Sequence, residues 1–285
     1  MRELLREARA ELGRSGVDPG DATRLARALL GDGVLLELLD DAPDGFEDAF
    51  RAAVARRSAR EPLQLILGHV GFRRLVLHTA PGVFIPRVET ELVAGVAIDA
   101  ARAAVARRGN ARAVDLCTGS GAIAAALASE VPGATVWAVE LDPRALELAA
   151  RNLAGRGVTL VAGDAAAALP ELDGTVDVVV ANPPYVPPDG VPRDPEVRDW
   201  DPAIALYGGG DDGLAMPRAI LARAAGLLRP GGVLVMEHAD VQGVAVREEA
   251  EALAAFEAVT TLPDLAGRDR MVRATRRGAP EQVGD

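Results

Sequence analysis

The chain has 285 residues, 49% hydrophobic but only 3% aromatic, and a formal net charge of -11. That length accommodates one large domain or two smaller ones, and the apolar share excludes global disorder. All 31 basic residues are arginine, and the acidic balance argues against a sequence-independent nucleic-acid binder, which neutralises phosphates with basic side chains.

The first sixty or so residues read as a small helical module. The N-terminal stretch is charged and helical in pattern, without the apolar core of a signal peptide. Leu4, Leu5, Ala8 and Leu12 recur at helical spacing. Asp21 is the expected cap of a second helix, Ala22 to Leu30, and Phe46, Phe50 and Val54 continue an amphipathic stretch ending near Arg57. From Pro62 the pattern changes. The apolar run Leu63 to Leu67, glycines at 68 and 71, and the alternating Leu75 to Leu77 predict a β-hairpin joining two domains. A helix is expected from about Glu89 to Arg107.

Beyond Gly109 strands and helices alternate. Strands are expected at Ala113–Leu116, Thr135–Val139, Val158–Val161, Val176–Val180 and Val233–Met236. Helices are expected at Ala122–Ser129, Pro143–Leu153, Met216–Leu228 and Val241–Ala255. The pattern predicts an α/β fold, a parallel sheet covered by helices on both faces. The residues from Gly278 onward read as a frayed tail. No apolar run approaches the ~20 residues of a membrane span. The lone Cys117 excludes an internal disulfide or a cysteine-rich zinc site, and His69, His78 and His238 lack metal-site spacing. The expected location is the cytoplasm.

Four stretches carry chemistry. The first is a strand running into Thr118, Gly119, Ser120 and Gly121 as a helix opens, which suits a nucleotide-like cofactor. This turn alone does not separate NAD from S-adenosylmethionine. The second is Glu140, followed by Leu141, at the end of the next strand. An acidic residue about 20 positions after a glycine turn falls where ribose hydroxyls are bound. Asp142, before Pro143, better suits a helix cap. The third is Asp164, followed by Ala165. It is placed either to accept from an adenine amino group or to cap the next short helix. The fourth is Asn182-Pro183-Pro184-Tyr185, which ends an apolar strand. A residue before proline is pushed into extended geometry, and the prolines donate nothing. Two acceptors, the Asn182 side-chain oxygen and the Pro183 carbonyl, then sit beside the flat face of Tyr185. That suits a planar group bearing an amino substituent.

With Asp115-Leu-Cys-Thr-Gly-Ser-Gly121 and Asn182-Pro-Pro-Tyr185, the chain resembles class I S-adenosylmethionine-dependent methyltransferases acting on planar amino nitrogens. Glu61 to Gly68, Phe84 to Glu91, Asp201 to Leu214, Leu228 to Gly232 and Glu237-His238 narrow the resemblance to the HemK/PrmC-type protein-(glutamine-N5) methyltransferases, over roughly residues 60 to 275. Departures are Val88 for a second proline, Cys117 for the first glycine, Asp201 for a glutamate, and Ala165 where some members have an aromatic.

The resemblance implies a Rossmann-like class I sheet. The boundaries are a helical domain at 1–61, concerned with substrate recognition, a hairpin linker at 62–85, and a methyltransferase domain at 86–285. It implies S-adenosylmethionine held by Thr118, Gly119, Ser120, Gly121, Glu140, Leu141, Asp164, Ala165 and Asn182. Asn182, Pro183, Pro184 and Tyr185 would receive the substrate, with Asn182, Pro183 and Tyr185 catalytic. The implied substrate is a protein, foremost the Gly-Gly-Gln motif of a peptide chain release factor, with no membrane or direct nucleic-acid partner and no metal. Other readings stay open. They are a ribosomal protein as substrate, an amino group of a nucleobase, an NAD-dependent oxidoreductase, and a non-catalytic cofactor-binding module. The basic run Arg268 to Arg277 is the feature that most favours a nucleic acid, and it also reads as a solvated strand edge. Arg87, Glu89 and Glu91 either line the site or start a helix. His238 either borders the pocket or packs, and Cys117 is expected to pack beneath the cofactor turn.

Overall fold

A computed structural model describes residues 1–31 and 43–278. The chain falls into two compact units. One comprises Met1–Val70, Thr79–Pro81 and Val191–Trp200; the other holds the rest. The expected tail beyond Gly278 lies outside the described residues.

The first unit is built on α1 (Arg2–Arg14), α2 (Asp21–Leu30) and α3 (Phe46–Ser58). Their apolar stripes meet in a core that includes Leu12, Leu25, Phe50 and Val54. Asp21 is not the cap expected of it. It lies within α2, 3% exposed, and its carboxylate pairs with Arg57 at 2.8 Å and Arg24 at 2.6 Å. Asp18 shapes the preceding turn instead, accepting from the Gly20 N–H at 2.8 Å. The expected strand at 63–67 is also corrected: Leu63–Leu67 is a short helix, α4. A five-residue apolar run fits either element by periodicity. Pro62 before it and a left-handed Gly68 after it (φ +76°) close it as a helical turn. The hairpin itself is shorter, β1 (His69–Phe72) and β2 (Leu75–His78).

In the second unit α5 (Val88–Arg108) ends at a left-handed Gly109, followed by β3 (Ala111–Leu116), α6 (Ala122–Glu130), β4 (Ala134–Glu140), α7 (Pro143–Leu153), β5 (Val158–Ala162) and β6 (Val176–Ala181). Next come α8 (Pro195–Trp200), which clusters with the first unit, and then α9 (Ala203–Leu206), α10 (Ala215–Leu227), β7 (Leu228–Glu237), α11 (Gly243–Ala252), β8 (Phe256–Pro263) and β9 (Asp269–Arg276). The seven strands order as β5-β4-β3-β6-β7-β9-β8. The first five in that order are parallel; β9 runs antiparallel to both of its neighbours, β7 and β8. β6 is buried at every position, as a central strand covered on both faces must be.

The sheet corrects the reading of the basic run near residue 270. It is not an edge, because β9 lies between β7 and β8. Met271, Val272 and Ala274 are buried, and the arginines between them hid an inner strand behind long, partly apolar stems.

Chain direction along the sheet reverses between β3 and β6. β3 leads outward to β4 and β5, whereas β6 leads the other way to β7. A crevice opens at the carboxyl ends of strands at such a switch point. Leu116 pairs with Ala181 across it, so the residues that follow, Cys117 and Asn182, leave the sheet side by side.

Candidate active site

The turn after β3 is held by side chains close in sequence. Asp115 is fully buried, and its Oδ2 accepts from Thr118 Oγ1 at 2.5 Å and from the Ala124 N–H of α6 at 3.0 Å. Its Oδ1 is buried without a partner, and burial pushes its pKa up to about 7. Cys117 takes a left-handed conformation (φ +59°) where glycine would cost nothing. Gly119 (φ +58°) and Gly121 (φ +84°) follow, and a Cβ added at Gly119 would meet nothing within 4 Å, so that face of the backbone is open. The side chains of Thr118 and Ser120 turn inward, at 7% and 3% exposure. Burial pushes the Cys117 thiol well above its usual range, and the half-buried side chain packs against the core of the second unit.

Glu140 closes the turn from the neighbouring strand. Its Oε2 accepts from the Gly119 N–H at 2.7 Å, and its Oε1 accepts from Leu141 N at 2.8 Å and Asp142 N at 2.9 Å. A carboxylate has about four lone-pair directions, so one stays free on Oε2. Beside it Leu141 is 54% exposed. Asp142 caps α7, accepting from Arg144 N and Ala145 N ahead of Pro143. Asp164, after β5, is exposed and accepts from Ala166 N through one oxygen, while Ala165 is buried.

The loop after β6 is held by residues remote in sequence. Tyr185 N and Val186 N both donate to Leu206 O, and Gly208 N donates to Val186 O. The Gln242 side chain donates to Tyr185 O at 2.8 Å and Asp212 O at 3.1 Å. Gly208 and Gly213 lie directly against the loop. A Cβ at Gly208 would come within 2.6 Å of Pro184 O and 2.9 Å of Tyr185 Cα. Pro183 is buried and Pro184 half-buried.

Asn182 is half-buried, and its Nδ2 donates to Thr90 Oγ1 at 3.3 Å. Thr90 in turn donates to Glu237 Oε2 at 2.9 Å, and the Tyr185 hydroxyl donates to Glu237 Oε1 at 3.3 Å. Glu237 is 2% exposed, and burial lifts its pKa to about 7 despite hydrogen bonds and the facing Arg270 charge. Burial likewise raises the Tyr185 phenol, with Glu237 adding to it. Thr90 was not singled out from the sequence, although it lies within the Phe84 to Glu91 stretch that carries part of the resemblance. Of the residues left open, Arg87 precedes the first residue of α5, reaches Asp201, 114 residues on, at 2.6 Å and covers the Phe84 ring. His238 is fully buried with its Nδ1 on Ala239 O, and burial lowers its pKa.

A methyltransferase-domain model matches residues 113–193, and a PrmC N-terminal domain model matches residues 3–68. A release factor glutamine methyltransferase of Bifidobacterium longum is 43% identical over 295 residues, spanning 95% of this chain and 98% of its own length. One from Streptomyces coelicolor is 52% identical over 225 residues, 78% of each chain. Among solved structures, a methyltransferase from Pyrococcus furiosus aligns with a TM-score of 0.52 at 19% identity, covering 80% of this chain and 98% of its own. That likeness speaks to the fold, a Rossmann-like sheet of the class I kind.

Proposed function

The chain belongs to the release factor glutamine methyltransferase family, and we propose that it methylates the side-chain amide nitrogen, N5, of a glutamine in the Gly-Gly-Gln motif of a peptide chain release factor. One observation carries this reading. Asn182 commits its NH2 to Thr90, so its Oδ1 has no donor among the described residues, at the crevice where β3 and β6 part.

The methyl donor is S-adenosylmethionine, and the residues present fit it. The backbone face at Gly119 is open, Glu140 keeps one acceptor direction for a ribose hydroxyl, Leu141 offers an exposed apolar side chain for a base, and Asp164 retains an oxygen for an amino group. When bound, it supplies an electrophilic methyl on a sulfonium. Everything else is positioning. An amide nitrogen is a weak nucleophile because its lone pair is delocalised. Asn182 Oδ1 and the Pro183 carbonyl accept its two hydrogens and turn the lone pair toward the methyl carbon, while the Tyr185 ring packs on the amide plane. Such alignment in a dry site contributes several orders of magnitude. The methylated nitrogen is strongly acidic and loses its extra proton to water, so no general base is required.

The test incubates the purified protein with S-adenosylmethionine and, separately, release factor, ribosomal proteins or nucleic acid. Mass spectrometry then locates the methyl group. One methyl on the Gly-Gly-Gln glutamine is expected. Asn182→Ala is expected to lower kcat on the order of 10²–10³-fold while cofactor affinity holds. Near-normal transfer by that variant, or methylation of nucleic acid alone, overturns the reading.

A further inference from the structure

A glutamine-accepting site has to know which end of its own asparagine faces the substrate. An asparagine amide has nearly the same shape either way round, but only one orientation offers an acceptor to a substrate N–H. In the other, two NH2 groups oppose each other and neither substrate hydrogen is received at Asn182. Something fixed must break the tie.

Counting protons along the buried chain shows what does so. Ionised Glu237 can only accept. It receives the single hydroxyl hydrogen of Thr90 on Oε2 and that of Tyr185 on Oε1. Thr90 has then spent its only proton, and its oxygen is left with lone pairs alone. Asn182 lies 3.3 Å from that oxygen and must present NH2 to it, which sends Oδ1 to the opposite side. Thr90 and Glu237 are 4% and 2% exposed, so bulk water does not readily substitute for either partner.

We propose that Thr90 and Glu237 are positioning residues that set the direction of the Asn182 amide. Neither touches the reacting atoms. Both act through Asn182, and this role rests on the glutamine-accepting reading above. The polarity is reversible. If Glu237 is protonated, its O–H can donate to Thr90. The Thr90 proton then swings toward Asn182, which must turn its oxygen inward and its NH2 toward the substrate. The groups that bear on this titration are Thr90 and Glu89 from α5, Tyr185 from the loop after β6, and Arg270 from β9, with burial of Glu237 the largest influence.

The experiment compares wild type with Thr90→Val, Thr90→Ser and Glu237→Gln, using purified full-length protein, S-adenosylmethionine and release factor. Thr90→Val keeps the shape but removes the acceptor. It is expected to lower kcat on the order of 10–100-fold, with KM and calorimetric cofactor affinity within a few-fold of wild type. Thr90→Ser restores the hydroxyl and is expected to recover most of that loss. Glu237→Gln mimics the protonated carboxyl because the Tyr185 hydroxyl, which donates to one carboxyl oxygen, keeps the amide oxygen on its side and turns the NH2 to donate to Thr90. It should therefore be slow at every pH, whereas wild-type kcat should rise as pH passes through about 7. A merely structural role would move the melting temperature without this pH signature or serine rescue.

Should Thr90→Val fail to fold, Glu237→Gln and Thr90→Ser still decide. A Glu237→Gln variant with kcat within twofold of wild type overturns the proposal, as does a Thr90→Val variant that is folded and equally fast. Either result leaves wild-type methylation and the Asn182→Ala loss standing. Failure of wild type to methylate the release factor sinks the functional reading instead.

Discussion

The turn after β3 and the loop after β6 leave the sheet side by side, yet they are held in opposite ways. The first is fixed by its own neighbourhood. Asp115 reaches Thr118 and Ala124, three and nine residues on, and Glu140 reaches Gly119 across one strand pairing. The second is fixed from afar. Asn182 leans on Thr90, 92 residues away, Tyr185 on Glu237, 52 away, and the loop backbone on Gln242, 57 away. A turn built on local contacts is in place once β3, β4 and α6 form. A loop built on distant contacts is complete only when α5, β7 and the 206–213 segment have all closed around it.

If that contrast is right, damage should separate along it. The largest effect is expected from Gly208→Ala. Its new Cβ would strike the Pro184 carbonyl and the Tyr185 backbone, neither of which is a flexible side-chain tip. Steady-state kinetics should show kcat reduced by about 10²-fold or more, with cofactor affinity measured by calorimetry nearly unchanged. A comparable loss of both would break the comparison, since the two halves would then be one mechanical unit.

Glu140→Ala is the converse. It strips the acceptor from three backbone N–H groups and from the ribose hydroxyl proposed for it. Affinity for S-adenosylmethionine should fall on the order of 10–100-fold while kcat at saturating cofactor changes little. The smallest effect is expected from Asp115→Asn. The folded-state pKa of Asp115 is raised from 3.8 to about 7, so the native state binds more protons than the unfolded one. Its contribution to stability therefore declines as pH rises from about 4 through about 7. Asparagine can keep both accepted hydrogen bonds on its oxygen and replaces the unpartnered Oδ1 with NH2. Thermal melts at pH 8 should show the variant equal to or above wild type, with the advantage gone by pH 4. A variant less stable than wild type at pH 8 would show that the charge of Asp115 is needed by the turn.

The same contrast explains what could be read in advance. Strand–turn–helix patterning placed β3, α6, β4 and α7 within a residue or two, because Gly119, Gly121, Asp142 and Pro143 act on their immediate neighbours. The Asn182-Pro-Pro-Tyr185 stretch stood out as a motif for the same reason. Its supports did not. Nothing local marks Thr90 or Glu237 as partners of Tyr185 and Asn182; only the sheet order, which puts β7 beside β6 and packs α5 against them, brings them within reach. Leu63–Leu67 and the strand at 269–276 were misread where periodicity was weak, in a run too short to decide and in one whose apolar face was interleaved with arginines.

The segment Val191–Trp200 has a history to tell. It follows the proline loop in sequence, yet it is gathered into the helical unit, where Glu196 meets Arg57 at 2.8 Å and Arg60 at 2.5 Å, and Arg57 also holds Asp21. The helical module is therefore not a contiguous stretch of gene. A recombination event carrying only the first seventy codons would leave behind Glu196, one of the two carboxylates paired with its buried arginine. Two regions bound in this way have to move together for the buried arginine to keep both of its carboxylates.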